Sequence, residues 1–166
     1  MLIIKGSDVE WLCSQLGSAS GLTLTADPDG RVEAERTGAE PRSARLRAAL
    51  EEMAAEHLRT AQVRLSEGTA IHFGVFGQTQ TLNVRTVRCI EQGAPGIGLA
   101  VAIHEIWENC RAWQFSGRGK YGPAHASAVE LEGVVGLELL AARSISGNSR
   151  PISGSAANRW NLPSRR

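Results

Sequence analysis

The chain has 166 residues, of which 42% are apolar and 21% charged, and its formal net charge is +1. This length is enough for one domain with a proper core but hardly for two. The charge balance argues against a general nucleic-acid binder, which would show a basic excess. The longest apolar stretches are too short for a membrane span, which needs about 20 residues.

The N-terminus lacks the basic region and the long apolar run of a signal peptide. The three cysteines, Cys13, Cys89 and Cys110, are odd in number and widely spaced, so we predict free thiols in a reducing compartment. We therefore expect synthesis in the cytoplasm, with a dedicated export machine if the protein acts elsewhere.

The first 36 residues predict a strand, a helix and a hairpin. Residues 2–5 are an apolar run typical of a strand. Ser7, followed three residues later by Glu10, fits a capping box and predicts a helix of about ten residues that ends near Gly17. Residues 22–25 and 32–35 alternate on either side of an Asp-Pro-Asp-Gly turn and predict a hairpin.

The middle of the chain predicts one helix and two strands. Apolar side chains recur at helical spacing over residues 42–59, and the opposite charged face is interpreted as solvated. Residues 70–76 and 79–87 predict two strands around a Gly-Gln turn. His57 and His72, in the helix and the first of these strands, are interpreted as core histidines.

The C-terminal part predicts two long helices, over residues 97–114 and 124–143, joined by a Gly-rich, cationic loop over 115–123. From Ser144 onward, Ser, Gly, Asn and Arg dominate and predict a mobile tail over 144–166. We therefore expect a single α+β domain over residues 1–143, with a small twisted sheet and two long C-terminal helices.

Two side chains of the first long helix predict a metal site. His104 and Glu108 are four residues apart, so they project from one face about 5–6 Å apart, the spacing with which one helix binds a metal ion. Glu105 points roughly 100° around the helix. From there it could take the proton of a metal-bound water without ligating the metal.

The third ligand should come from the second long helix, because a catalytic zinc site uses three protein ligands and an open fourth position. His125 and Glu132 are the candidates, and they lie about 10.5 Å apart along that helix, so they can hardly bind one ion together. We favour His125, because imidazole is a common zinc ligand. Glu132 then hydrogen-bonds to a ligand or forms a structural ion pair.

The loop between the helices offers further candidates. Tyr121 and Arg118 could hydrogen-bond the oxyanion of a tetrahedral intermediate, although ordinary loop polarity is the favoured explanation for them. Arg111, Arg118 and Lys120 form a weak basic cluster that could meet an acidic substrate or partner. Trp107 is interpreted as a core residue.

The segments AIHEIWEN and YGPAHASAVELE resemble the zincin metallopeptidases, whose hallmark is H-E-x-x-H on a helix. More closely, they resemble compact metallopeptidase-like domains of bacterial toxins and secreted effectors, in which a second helix supplies the last ligand. The resemblance covers residues 97–136, with Glu108 in place of the second histidine. The strand pair before the helix is compatible with the zincin edge strand, which lies along the cleft and holds extended peptide.

The resemblance implies a zinc-dependent hydrolase that acts on a protein or peptide, with His104, Glu108 and His125 as ligands and Glu105 activating the water. It also implies an export or immunity partner. A second hypothesis is a non-catalytic adaptor, structural or cargo protein of the same architecture. His104 and Glu108 would then be a structural pair on the helix.

Overall fold

A mixed sheet and the helices that cover it position the candidate site. The computed structural model describes residues 1–55, 60–68, 74–76, 78–112 and 121–147. Within them the strands are β1 Leu2–Gly6, β2 Leu22–Ala26, β3 Val32–Arg36, β4 Ala61–Ser66, β5 Gly74–Val75 and β6 Gln80–Asn83. The helices are α1 Val9–Ser20, α2 Ala44–Ala55, α3 Val84–Gly93, α4 Ile97–Ala112 and α5 Tyr121–Gly147. The expected α+β class is confirmed.

The larger sheet has the strand order β1-β4-β6-β5. β4 runs parallel to both of its neighbours, and β5 is antiparallel to β6. β4 is not among the predicted strands, although Ala61, Val63 and Leu65 alternate with more exposed residues and are buried. This alternation is the ordinary signal of a strand with one buried face.

The predicted hairpin is confirmed as the antiparallel pair β2–β3. The backbone N–H of Gly30 donates to the carbonyl of Asp27 at 2.8 Å, and the N–H of Arg31 donates to the Asp27 carboxylate at 2.9 Å. The turn therefore forms around the residues that predicted it.

The predicted bounds of α1 are wrong at both ends. Its N-cap is Asp8, in a left-handed conformation with φ 62°, and no side chain caps the helix. The helix continues through Gly17, where a Cβ would lie 2.6 Å from the Leu22 carbonyl oxygen. Gly17 thus permits the close approach of β2, and Gly21 ends the helix at φ 68°.

The second predicted strand, over 79–87, is correct only in its first half. Asn83 caps a helix instead, and its side chain accepts a hydrogen bond from the Thr86 N–H at 3.2 Å. Residues 84–87 therefore form the first turn of α3. Local capping outweighs the strand preference of β-branched side chains here.

The predicted helix over 42–59 corresponds to α2, and the N–H of Leu46 donates to the Ser43 hydroxyl at 3.0 Å near its start. His57 and His72 lie outside the described residues. Glu51 and Glu52, from the face interpreted as solvated, form ion pairs with Arg36 and Arg111 at 2.6 and 2.9 Å.

The two predicted C-terminal helices are confirmed as α4 and α5. α5 begins at Tyr121, inside the predicted loop, and continues through residues 144–147, which were assigned to the tail. The Ser144 hydroxyl donates to the Leu140 carbonyl at 3.3 Å, so this serine is accommodated within the helix. Residues 148–166 lie outside the described part of the chain. None of the described helices combines the length and apolar character that crossing a membrane requires.

The core is formed by the inner faces of the sheet and of the helices that pack on it and on one another, α1 and α2 included. α4 is the most deeply buried element, since most of its residues are shielded from solvent. The core cluster to which α4 contributes also contains large apolar side chains of the sheet and of α5: Ile4, Val63, Leu65, Leu82, Leu131, Val135 and Leu139. Any polar group on α4 therefore needs a partner within the protein.

We expect Leu131→Ala to lower the free energy of unfolding by about 2–5 kcal/mol, because Leu131 is fully buried and its truncation leaves a cavity. Leu137→Ala on the same helix is the control, since Leu137 is 70% exposed and should change stability by less than about 0.5 kcal/mol. Urea titration of both variants checks this. Equal effects would show that α5 does not pack as described.

The three cysteines, all of them described residues, form no disulfide with one another; Cys13 and Cys110 are buried and Cys89 is exposed. Burial raises the pKa of the Cys13 thiol to about 11. The thiolate is the reactive form, and this shift alone lowers its fraction at pH 8 roughly 100-fold.

We expect iodoacetamide at pH 8 to modify Cys89 first and Cys13 only after unfolding, as followed by mass spectrometry. Comparable native rates would contradict the burial of Cys13.

Candidate metal centre

The site lies where α4 and α5 pack in antiparallel orientation. The start of α4 faces the end of α5, as shown by the approach of Gly96 to Leu139 and of Ala100 to Gly136. Further along, His104 meets Glu132 and Glu108 meets His125. The antiparallel register therefore brings residues far apart in sequence into two facing pairs.

The structure brings His104, Glu108 and His125 together as the sequence predicts. Each offers one ligand atom, and the three atoms lie within 4.8 Å of one another. His104 and Glu108 are 8% and 3% exposed, whereas the side chain of His125 is 43% exposed. The cluster is thus buried on the α4 side and open to solvent on the α5 side. Two imidazoles and one carboxylate could hold a divalent cation here.

Glu132 lies outside this cluster, behind His104. Its Oε2 is 2.8 Å from His104 Nδ1. Such a carboxylate fixes the orientation and tautomer of the imidazole and leaves Nε2 as the nitrogen available to a ligand. The contact is compatible with both roles considered for Glu132, the orientation of His104 and a structural ion pair.

Glu108 and His125 are also directly paired, with Oε1 and Nδ1 2.9 Å apart. A buried carboxylate without a partner is strongly destabilising, so this contact compensates for the burial of Glu108. The pair is compatible with a structural role, because it satisfies Glu108 within the protein. It also places the two groups close enough to share a cation.

Glu105 lies between the last two strands of the sheet. Its carboxylate packs against the backbone of Gly74 in β5 and accepts a hydrogen bond from Gln80 Nε2 in β6. Burial raises the pKa of Glu105 above its ordinary value, and the Gln80 hydrogen bond and His104 oppose that rise. Glu105 is therefore next to the metal-ligand candidates, and its own contacts are with strands of the sheet.

Gln80 is a site residue that the sequence analysis missed. It is fully buried, and its Nε2 also donates to Glu108 Oε2 at 3.3 Å. It thus contacts both carboxylates that α4 contributes. A glutamine in a strand carries no recognisable sequence signal, because its importance depends on which helix covers the strand.

Tyr121 forms the rim of the site. Its ring stacks on His125, with centroids 5.3 Å apart and an angle of 14° between the planes. The rings of Tyr121 and Phe76 are packed edge to face, with centroids 5.1 Å apart. Tyr121 is 47% exposed, so it borders the open side of the cluster. Arg118 and Lys120, also predicted near the site, lie outside the described residues.

Trp107 and Arg111 belong to the packing around the site. Trp107 is buried, as predicted, and its Nε1 donates to the Ser127 hydroxyl at 3.1 Å. The Arg111 guanidinium lies 4.0 Å from the centre of the Trp107 ring and forms an ion pair with Glu52. Arg111 therefore joins α4 to α2, which accounts for its charge within the protein.

Comparisons of the chain with protein-family models, with curated proteins and with solved structures found no match. The resemblance to zincins thus rests on residues 97–136, and a function must be inferred from the geometry of the site.

We expect Gly74→Ala to displace the Glu105 carboxylate, because an added Cβ would overlap it. The clash falls on the end of a flexible side chain, so the fold should tolerate it. The Gln80 side-chain amide signals in a ¹H–¹⁵N spectrum should shift as their acceptor moves. In the control Gly133→Ala, the added Cβ meets no atom within 4 Å, and those signals should stay unchanged. Unchanged signals in Gly74→Ala would contradict the contact.

Proposed function

We propose that the chain is a zinc-dependent hydrolase, of the metallopeptidase type, with His104, Glu108 and His125 as the zinc ligands. The observation that supports this is the convergence of their three ligand atoms within 4.8 Å. Two histidines and one glutamate are a known ligand set of catalytic zinc sites. The zincin resemblance adds the proposal of a bacterial effector or toxin with an export or immunity partner.

The residues present fit a zinc ion in two further respects. Glu132 holds His104 by Nδ1, the contact by which a carboxylate strengthens a histidine ligand. The exposed side of His125 leaves room for a substrate to approach. When bound, zinc supplies a Lewis acid that polarises a carbonyl group and activates water at neutral pH.

Glu105 is the proposed general base. Gln80 holds its Oε2, which leaves Oε1 to accept a proton from the attacking water and pass it to the leaving amine. Tyr121 is proposed to donate a hydrogen bond from its hydroxyl group to the oxyanion, since its ring lies on His125 at the open rim.

A peptide substrate is favoured by the position of β5. In the described sheet, β5 is the last strand in the order β1-β4-β6-β5, and Glu105 packs against its Gly74. An extended peptide can bind such an edge by main-chain hydrogen bonds. A peptide bound there would pass next to the proposed base.

The alternative function is a non-catalytic adaptor or structural protein. It is favoured by the direct hydrogen bonds of His104 to Glu132 and of His125 to Glu108, which satisfy the site from within. Metal analysis distinguishes the two, because a structural network of this kind has no need of an ion.

We expect the purified chain to bind one zinc ion, and His104→Ala and Glu108→Ala to lower its affinity by at least about 100-fold, since each removes a direct ligand. Glu105→Gln should bind zinc like the wild type but hydrolyse substrate about 10²–10⁴-fold more slowly, because an amide cannot accept the proton. Chelator competition measures affinity. Mass spectrometry of new N-termini in unfolded protein measures hydrolysis.

Glu130→Gln is the matched control, because Glu130 is an exposed carboxylate of α5. It should leave both readouts unchanged. Absence of zinc binding by the wild type at micromolar concentration would overturn the proposed function in favour of the adaptor. Wild-type hydrolysis by Glu105→Gln would overturn only the assignment of the base.

A further inference from the structure

Gln80 connects the proposed base to one of the proposed ligands. It is the first residue of β6, is fully buried, and lies under α4. Its single Nε2 donates both to Glu105 Oε2 and, at 3.3 Å, to Glu108 Oε2. A primary amide has two N–H groups, so it can serve one carboxylate with each.

The two carboxylates determine the orientation of this amide. A flipped amide would place its carbonyl oxygen against two acceptors and lose both hydrogen bonds. In the orientation observed, Gln80 Oε1 is buried and has no hydrogen-bond partner among the described residues. A buried acceptor of this kind destabilises a fold, whereas an apolar side chain of the same size would not. Packing alone therefore does not explain a glutamine here.

We propose that Gln80 is a positioning residue that keeps Glu105 out of the ligand set of the metal, a proposal that rests on the zinc site proposed above. Glu105 adjoins His104 in sequence, and its flexible side chain would be drawn toward a bound cation. Gln80 on one side and the backbone of Gly74 on the other hold its carboxylate between β5 and β6.

The separation matters for the chemistry, because a carboxylate that ligates the ion is a much poorer base for the attacking water. Glutamine suits this position since it is neutral and donates twice. A glutamate at position 80 would add a third carboxylate to the group. When ionised, it would have no N–H or O–H to donate to the other two. A methionine would fill a similar volume without holding either carboxylate.

The test uses the full chain loaded with Co²⁺ in place of zinc, and it reads the visible ligand-field bands. These bands are strong when four ligands surround the ion and weaken as ligands are added, so they report the ligand set. The variant is Gln80→Met. The matched control is Gln62→Met on β4, because Gln62 is exposed and its Oε1 accepts a hydrogen bond from Thr79 instead, at 3.3 Å.

We expect Gln80→Met to lose band intensity and shift the bands, because Glu105 gains access to the ion. The double variant Gln80→Met/Glu105→Gln should regain the wild-type spectrum, since an amide ligates weakly. Gln62→Met should match the wild type. If Gln80→Met does not fold, Gln80→Asn takes its place. This variant keeps the amide but shortens the side chain by one methylene, so it should show the same spectral change.

Glu105→Gln alone gives an independent outcome. Its spectrum should equal that of the wild type, and a changed spectrum would show that Glu105 is already a ligand and overturn the proposal. The proposal would also be overturned if folded Gln80→Met or Gln80→Asn had the wild-type spectrum. The same holds if the double variant did not regain that spectrum. If the wild type binds no Co²⁺ or Zn²⁺, the zinc site itself fails, a result distinct from the others.

Discussion

The packing of α5 along α4 is the interaction on which the rest of the site depends. Because α4 is largely buried, the polar side chains in its middle turns are satisfied by α5 and by the sheet, whereas Arg111 near its end pairs with α2. α5 supplies Glu132 to His104 and His125 to Glu108. The same contact therefore closes the core and determines which groups face each other.

The charges of the site are unbalanced unless a cation or protons are added. Glu105, Glu108 and Glu132 are three carboxylates within one group of contacts. Burial is the main cause of the raised pKa of Glu105, and repulsion by Glu108 and Glu132 adds to it. The two histidines compensate only when protonated. A divalent cation would relieve this repulsion, which is a physical reason to favour the metal hypothesis over a purely structural network.

The part of the site that lies on α4 and α5 was predictable from the sequence. Helical periodicity placed His104 and Glu108 on one face, and the distance along the second helix separated the roles of His125 and Glu132. Gln80 and Gly74 were not predictable, because they reach Glu105 only through the way the sheet packs under α4. Such contacts depend on tertiary structure rather than on spacing.

The fold was predictable to a similar extent. The long periodic helices and the Asp-Pro-Asp-Gly hairpin were identified from the sequence. The exact ends of helices and strands were not, because they depend on single contacts. Asn83 turned a predicted strand into a helix by capping it, and Gly17 continued a helix that glycine was expected to end. β4 was overlooked although its residues alternate, and its pairing with β1, far away in sequence, has no local signal.

The parallel pairing of β1 with β4 has a consequence for the order of folding. Leu2 lies opposite Ala61, so this pairing closes a long loop, whereas α4 and α5 are joined by residues 113–120 alone. Long loops lose more entropy on closure, and non-local pairings slow folding. We therefore expect the helical pair to form early and Glu105 to meet Gln80 only once the sheet is complete. Pulse-labelled hydrogen exchange that protects β1 before α4 would contradict this order.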